Sequence, residues 1–122
     1  MTIMLQNDLY TIIEKQGNAV KIRLLSSSAI YQGHFPGSPV TPGVCQVGMI
    51  AELLGTCFGK NVTLREIKNL KFMEVLRPEP SVEPVVVFEK MDEADKNLSV
   101  RGKLTVGERT VTKFSLGFEK QS

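Results

Sequence analysis

The sequence predicts an α+β fold in which one antiparallel sheet wraps around a single central, buried helix. Three features carry that prediction: two short alternating segments open the chain, one strongly apolar stretch lies between Pro42 and Gly59, and the apolar pattern has period two from residue 63 onward. At 122 residues the chain suits a single domain, 1–122. A domain of this size buries about two-thirds of its unfolded surface.

Residues 9–15 and 20–25 read as strands joined by a Gly17-Asn18 turn, the second alternating Val20, Ile22 and Leu24 with Lys21 and Arg23. A stiff loop rich in Gly and Pro follows, because each proline fixes a φ angle. It runs Tyr31-Gln32-Gly33-His34-Phe35-Pro36-Gly37-Ser38-Pro39-Val40-Thr41-Pro42-Gly43. Thr41 is a plausible N-cap with Pro42 at the first helical position, and the helix should run to Phe58, with Gly59 beyond it. Apolar residues occupy nearly every face of that helix, so it is expected to be buried all round. The remaining strands are expected at 63–76, 82–91, 98–106 and 109–118, the last two joined through Val106-Gly107-Glu108.

Composition excludes several functions. Fifteen Lys and Arg against 13 Asp and Glu leave a net charge of +2, too little for a nucleic-acid surface. The densest basic stretch, Lys60, Arg65, Lys68, Lys71 and Arg77, reads as solvated surface or as a landing place for an acidic carrier protein or phosphate. No run reaches the roughly 18 apolar residues of a membrane span, and the N-terminus lacks signal-peptide features, so a cytoplasmic location is expected. Cys45 and Cys57 lie twelve positions apart on one helix, about 18 Å along its axis, and cannot bridge each other. One His and two Cys leave little for a metal site, and no metal is expected.

The segment Gly33-His34-Phe35-Pro36-Gly37-Ser38-Pro39-Val40-Thr41-Pro42-Gly43-Val44 resembles the signature loop of the FabA/FabZ-type 3-hydroxyacyl-[acyl carrier protein] dehydratases, G-H-F-P-G-x-P-x-x-P-G-V. Lys71-Phe72 and Pro78 add a weaker echo of the strand that follows the helix in such proteins. The resemblance implies a hotdog fold and an active site at a dimer interface. It also implies a substrate carried as a thioester on phosphopantetheine, with no other cofactor. The partner would be acyl carrier protein or a coenzyme A thioester, and the chain would form a homodimer or an assembly of dimers. His34 would be the general base and the Gly43 N–H the oxyanion donor, with Phe35, Pro36, Gly37, Val44, Gln46 and Gly48 lining the substrate. Both catalytic roles make chemical sense: abstracting a proton α to a thioester needs a base titrating near neutrality and a donor for the developing enolate oxygen. Free N–H groups in a first helical turn supply such a donor.

One position departs from the pattern. The family's carboxylate stands fourteen residues after the motif His, which here is Gly48. Three compensations are open: Glu52, one helical turn later, as a relocated acid; Gln46 as a hydrogen-bonding residue that orients the hydroxyl; or another hotdog subunit contributing the carboxylate to a heteromer. Three further readings compete with dehydration. Gly48 favours a non-catalytic or half-catalytic hotdog subunit that pairs with another dehydratase chain. Cys45 near the helix start could be a nucleophile with a lowered thiol pKa, against its ordinary reading as a small core residue. The same fold could also support thioester hydrolysis, although the H-F-P-G loop argues against it.

Overall fold

The computed structural model describes residues 5–121. Strands β1 (Tyr10–Gln16) and β2 (Ala19–Leu24) form the opening hairpin, turning at Gly17 with φ +59°. After a short helix α1 (Ala29–Gly33) and the Gly/Pro loop comes the long helix α2 (Gly43–Phe58). Strands β3 (Val62–Phe72), β4 (Val85–Ala94), β5 (Asn97–Val106) and β6 (Arg109–Lys120) complete the chain. All pair antiparallel in one sheet ordered β1-β2-β4-β5-β6-β3. This is the expected hotdog arrangement, with α2 on one face of the sheet.

Period-two alternation explains which face the helix covers. Val20, Ile22, Val86, Phe88, Leu98, Val100, Leu104, Phe114, Leu116 and Phe118 point inward and meet Met49, Ile50, Leu53 and Leu54 of α2. Near the helix C-terminus, Phe58 meets Phe88 edge-on with centroids 5.1 Å apart, and Phe88 meets Phe114 at 5.9 Å. These contacts tie that end of α2 to β4 and β6.

Four expectations need correction. Helix α2 is not buried all round: Val44 is 79% exposed, and Gly55 and Thr56 are exposed too. Its N-cap is Pro42, without a side-chain cap, because the Thr41 hydroxyl is engaged by Tyr31 instead. Strand β3 stops at Phe72 rather than 76, since the Met73 and Glu74 N–H groups both donate to the Val111 carbonyl and turn the chain off the ladder. Strand β4 begins at Val85 because Val82 folds into a turn onto Glu79 and Pro84 has no N–H to give. Helix α1 was not expected. Its N-cap Ser28 accepts the Ile30 N–H.

Strand β3 forms one sheet edge with Ile67 52% exposed, an open flank of the kind that pairs with another chain. Among the described residues no helix is long and apolar enough to cross a membrane.

Candidate active site

His34 caps the C-terminus of α1, its N–H donating to the Ile30 carbonyl at 3.1 Å. The next residues double back on themselves. Phe35-Pro36-Gly37-Ser38 is a β-turn closed by the Ser38 N–H on the Phe35 carbonyl at 2.9 Å, with proline at its second position and Gly37 at φ +79° at its third. That third position excludes most side chains and explains the glycine on conformation alone. The Val40 N–H then donates to the His34 carbonyl at 2.7 Å, closing a ring from 34 to 40. The Arg77 guanidinium braces the ring from outside, donating to Ser38 Oγ at 3.1 Å and to the Pro39 carbonyl at 3.4 Å. His34, Phe35, Pro36 and Gly37 are all exposed, and the His34 and Phe35 rings lie 5.4 Å apart.

The chain passes from this ring through Pro42 into the first turn of α2. The Cys45 and Gln46 N–H groups both donate to the Pro42 carbonyl, while those of Gly43 and Val44 have no acceptor among the described residues. Two free donors at the positive end of a 16-residue helix are suited to an oxyanion. A Cβ on Gly43 would sit 2.5 Å from Phe72 Cζ, so the glycine also admits the aromatic ring that ends β3.

The other expected site residues separate into two groups. Phe35, Pro36, Gly37 and Val44 surround His34 and the helix start and are open to a ligand. Gln46 is not: it is 2% exposed, its Nε2 donates to the Thr41 carbonyl at 3.3 Å, and its Oε1 accepts the Thr112 hydroxyl at 2.6 Å. With both ends of its amide engaged inside the core, it cannot orient a substrate hydroxyl directly.

Gly48 lies beneath the N-terminal segment, where an added Cβ would meet Leu5 Cδ1 at 2.9 Å. The same segment captures Glu52. One carboxylate oxygen accepts the Leu5 N–H at 2.6 Å, and the other accepts the Gln6 N–H and the Tyr10 hydroxyl, both at 2.9 Å. Burial and the Glu52 carboxylate push the Tyr10 phenol above its ordinary pKa, so the phenol remains a donor. Sequence reading offered Glu52 as a relocated acid or as a paired structural carboxylate; in the structure its oxygens are taken up by Leu5, Gln6 and Tyr10. Burial raises the Cys45 thiol pKa, which fits a small core residue and not an activated nucleophile.

Sequence reading named Arg77 only within the basic stretch and Thr41 only as an N-cap, and it missed Tyr10 and the buried hydroxyls of Tyr31 and Thr112. Thr112 had a signal, since it falls in register with Phe114, Leu116 and Phe118 on the inward face of β6. Among the described residues no group of three or more His, Cys, Asp or Glu could hold a metal ion.

Comparison with known proteins bears on the family and the fold. Two FabZ 3-hydroxyacyl-[acyl-carrier-protein] dehydratases are similar in sequence. That of Latilactobacillus sakei subsp. sakei is 39% identical over 72 residues, 53% of this chain and 51% of the relative. That of Ligilactobacillus salivarius is 34% identical over 87 residues, 66% of this chain and 62% of the relative. The chain thus spans about half to three-fifths of the curated relatives it matches. Among solved structures, the dehydratase heterocomplex ApeI:P from Xenorhabdus doucetiae superimposes with TM-score 0.66 at 20% identity, covering 88% of this chain and 93% of the other. A hypothetical thioesterase with coenzyme A from Streptococcus pneumoniae gives TM-score 0.63 at 13% identity, covering 93% and 86%. At such identities these two likenesses speak for the fold. The sequence model of the ApeI-like family, ApeI dehydratase, matches residues 12–111. Since that span holds the whole His34 ring, the free helix start and most of the sheet, the chain belongs to the ApeI-like dehydratase family.

Proposed function

We propose that the chain dehydrates a 3-hydroxyacyl thioester to the trans-2-enoyl thioester, with the acyl group carried on the phosphopantetheine of an acyl carrier protein or coenzyme A. The observation that carries this reading is the pair of free N–H groups at Gly43 and Val44, beside a closed ring that presents His34. The imidazole takes the C2 proton, and the electron pair moves into the thioester carbonyl, whose oxygen the Gly43 N–H stabilises. The enolate then collapses, forming the C2–C3 double bond and breaking the C3–O bond. The departing hydroxide leaves as water once it is protonated. Gly48 supplies no acid, and the Glu52 carboxylate is taken up by Leu5, Gln6 and Tyr10. The proton held on the His34 imidazolium is therefore the one within the chain's own machinery that balances the step.

The substrate would lie against Phe35, Pro36, Gly37 and Val44, and a second copy pairing along the open β3 edge would give the homodimer. A second reading has a specific observation in its favour. Because Gly48 is covered by Leu5, the missing carboxylate could come from another hotdog chain in a heteromer, the kind of assembly described for ApeI:P.

The test is enoyl-thioester formation from a 3-hydroxyacyl carrier-protein substrate. The unmodified chain should turn over, and His34→Ala should fall by at least about 10²-fold. Release of free thiol instead would mean thioester hydrolysis. Absence of turnover in the folded chain, restored by a second hotdog subunit, would select the heteromer.

A further inference from the structure

The buried polar residues among those described are Ser28, Thr41, Gln46 and Thr112, and the last three lie around the segment between α1 and α2. Ser28 caps α1. The other three belong to one line of hydrogen bonds: the Tyr31 hydroxyl with Thr41 Oγ1 at 2.8 Å, Gln46 Nε2 to the Thr41 carbonyl at 3.3 Å, and the Thr112 hydroxyl to Gln46 Oε1 at 2.6 Å. The Thr41 N–H completes the set, donating to the Leu76 carbonyl at 2.7 Å. No buried side-chain nitrogen or oxygen among the described residues lacks a partner.

Thr41 is the junction. Its N–H, carbonyl and hydroxyl are held from three directions, by the chain after β3, by α2 and by α1. Tyr31 stands three residues before His34, and Thr41 two residues before Gly43. Pro42, with φ held at −58°, leaves only its ψ between the Thr41 peptide and the Gly43 N–H. The Gln46 amide can sit only one way round, because the Thr41 carbonyl offers no hydrogen and must face Nε2. An apolar core would have been the cheaper filling, and a fully bonded polar line fixes a single geometry that apolar packing does not.

Resting on the dehydratase reading above, we propose that Gln46 is a positioning residue: with Thr112 behind it and Thr41 and Tyr31 ahead, it holds the Gly43 N–H in register with His34.

The test uses full-length Gln46→Met, which keeps the volume and removes both bonds, with Thr112→Val and the conservative Thr112→Ser. Expected are kcat lower by about 10- to 100-fold in Gln46→Met with KM within about threefold, since small misplacement of a catalytic group costs rate more than binding. Thr112→Val should lose about 3- to 10-fold, and Thr112→Ser should restore the parent kcat. The same variants are read without substrate by the Gly43 amide resonance and its hydrogen exchange, which should shift in Gln46→Met and Thr112→Val but not in Thr112→Ser. Parent kcat and an unmoved Gly43 amide in both disrupting variants would overturn the proposal. If Gln46→Met does not fold, the two Thr112 variants decide by the same criteria. A moved Gly43 amide in a protein whose parent form has no turnover would support the positioning role and reject the dehydratase reading separately.

Discussion

Replacing Glu52 by glutamine separates an anchoring role from a catalytic one. The carboxylate accepts three hydrogen bonds, one on Oε2 from Leu5 and two on Oε1 from Gln6 and Tyr10. A glutamine would keep its oxygen where two donors converge and turn its NH2 toward the Leu5 N–H, setting donor against donor. One charge-assisted bond is lost, and such bonds contribute about 1.5–3 kcal/mol. The site is only half-buried, so a loss of about 2 kcal/mol is reasonable. For a domain of this size that is a fall in Tm of roughly 6–10 °C. Thermal unfolding followed by circular dichroism, with turnover measured well below Tm, is the assay. The expected pattern is a lowered Tm with rate within about threefold of the parent. An unchanged Tm with turnover lost by 10²-fold or more would refute the anchoring role and return Glu52 to the chemistry as the missing acid.

Other perturbations address the remaining features. Gly43→Ala would place a Cβ 2.5 Å from Phe72 Cζ and should force the ring away, destabilising the domain by about 1–3 kcal/mol, and Phe72→Ala in the same chain should recover most of that loss in a denaturant titration. Gly48→Glu should fold, because its Cβ meets only the mobile end of Leu5, and should raise the dehydration rate at least tenfold; no gain, even when combined with Leu5→Ala, would mean that an acid at this position does not reach the substrate. Lys60 and Lys120 hold the exposed Glu93 carboxylate at about 2, below its ordinary 4.5. The folded value is depressed, so this pairing stabilises the protein fully above pH 4.5 and is lost as pH falls toward 2. A carboxyl NMR titration should place the Glu93 midpoint near 2 at low salt and higher in Lys120→Ala or in 1 M salt; a midpoint that neither change moves would exclude the ion pairs as the cause.

Much of the fold was legible because it rests on local rules. Strand alternation located β2, β5 and β6, and Gly59 at φ +65° ends α2 after Phe58, as the sequence reading expected. The stiffness of the loop around His34 was legible from its prolines, whereas the hydrogen bond that closes it from 34 to 40 was not. What remained hidden depends on long-range partners. Nothing near Glu52 announces that backbone N–H groups 46 and 47 residues earlier will take its lone pairs. Gln46 looked available at the helix start until the facing position of Thr112 on β6 was known. Thr41 has the residue type of an N-cap, but its hydroxyl meets Tyr31 of α1, a helix of five residues too short to declare itself by periodicity.

The most direct test of the chemistry is hydration of a trans-2-enoyl thioester in D2O, the reverse reaction, followed by mass spectrometry and NMR at C2. The account predicts one deuterium at C2 of the 3-hydroxyacyl product, delivered by a process that His34→Ala abolishes. Hydration that persists without His34, or a folded protein that leaves the enoyl thioester unchanged, would contradict the assignment of His34 and the Gly43 N–H as base and oxyanion donor.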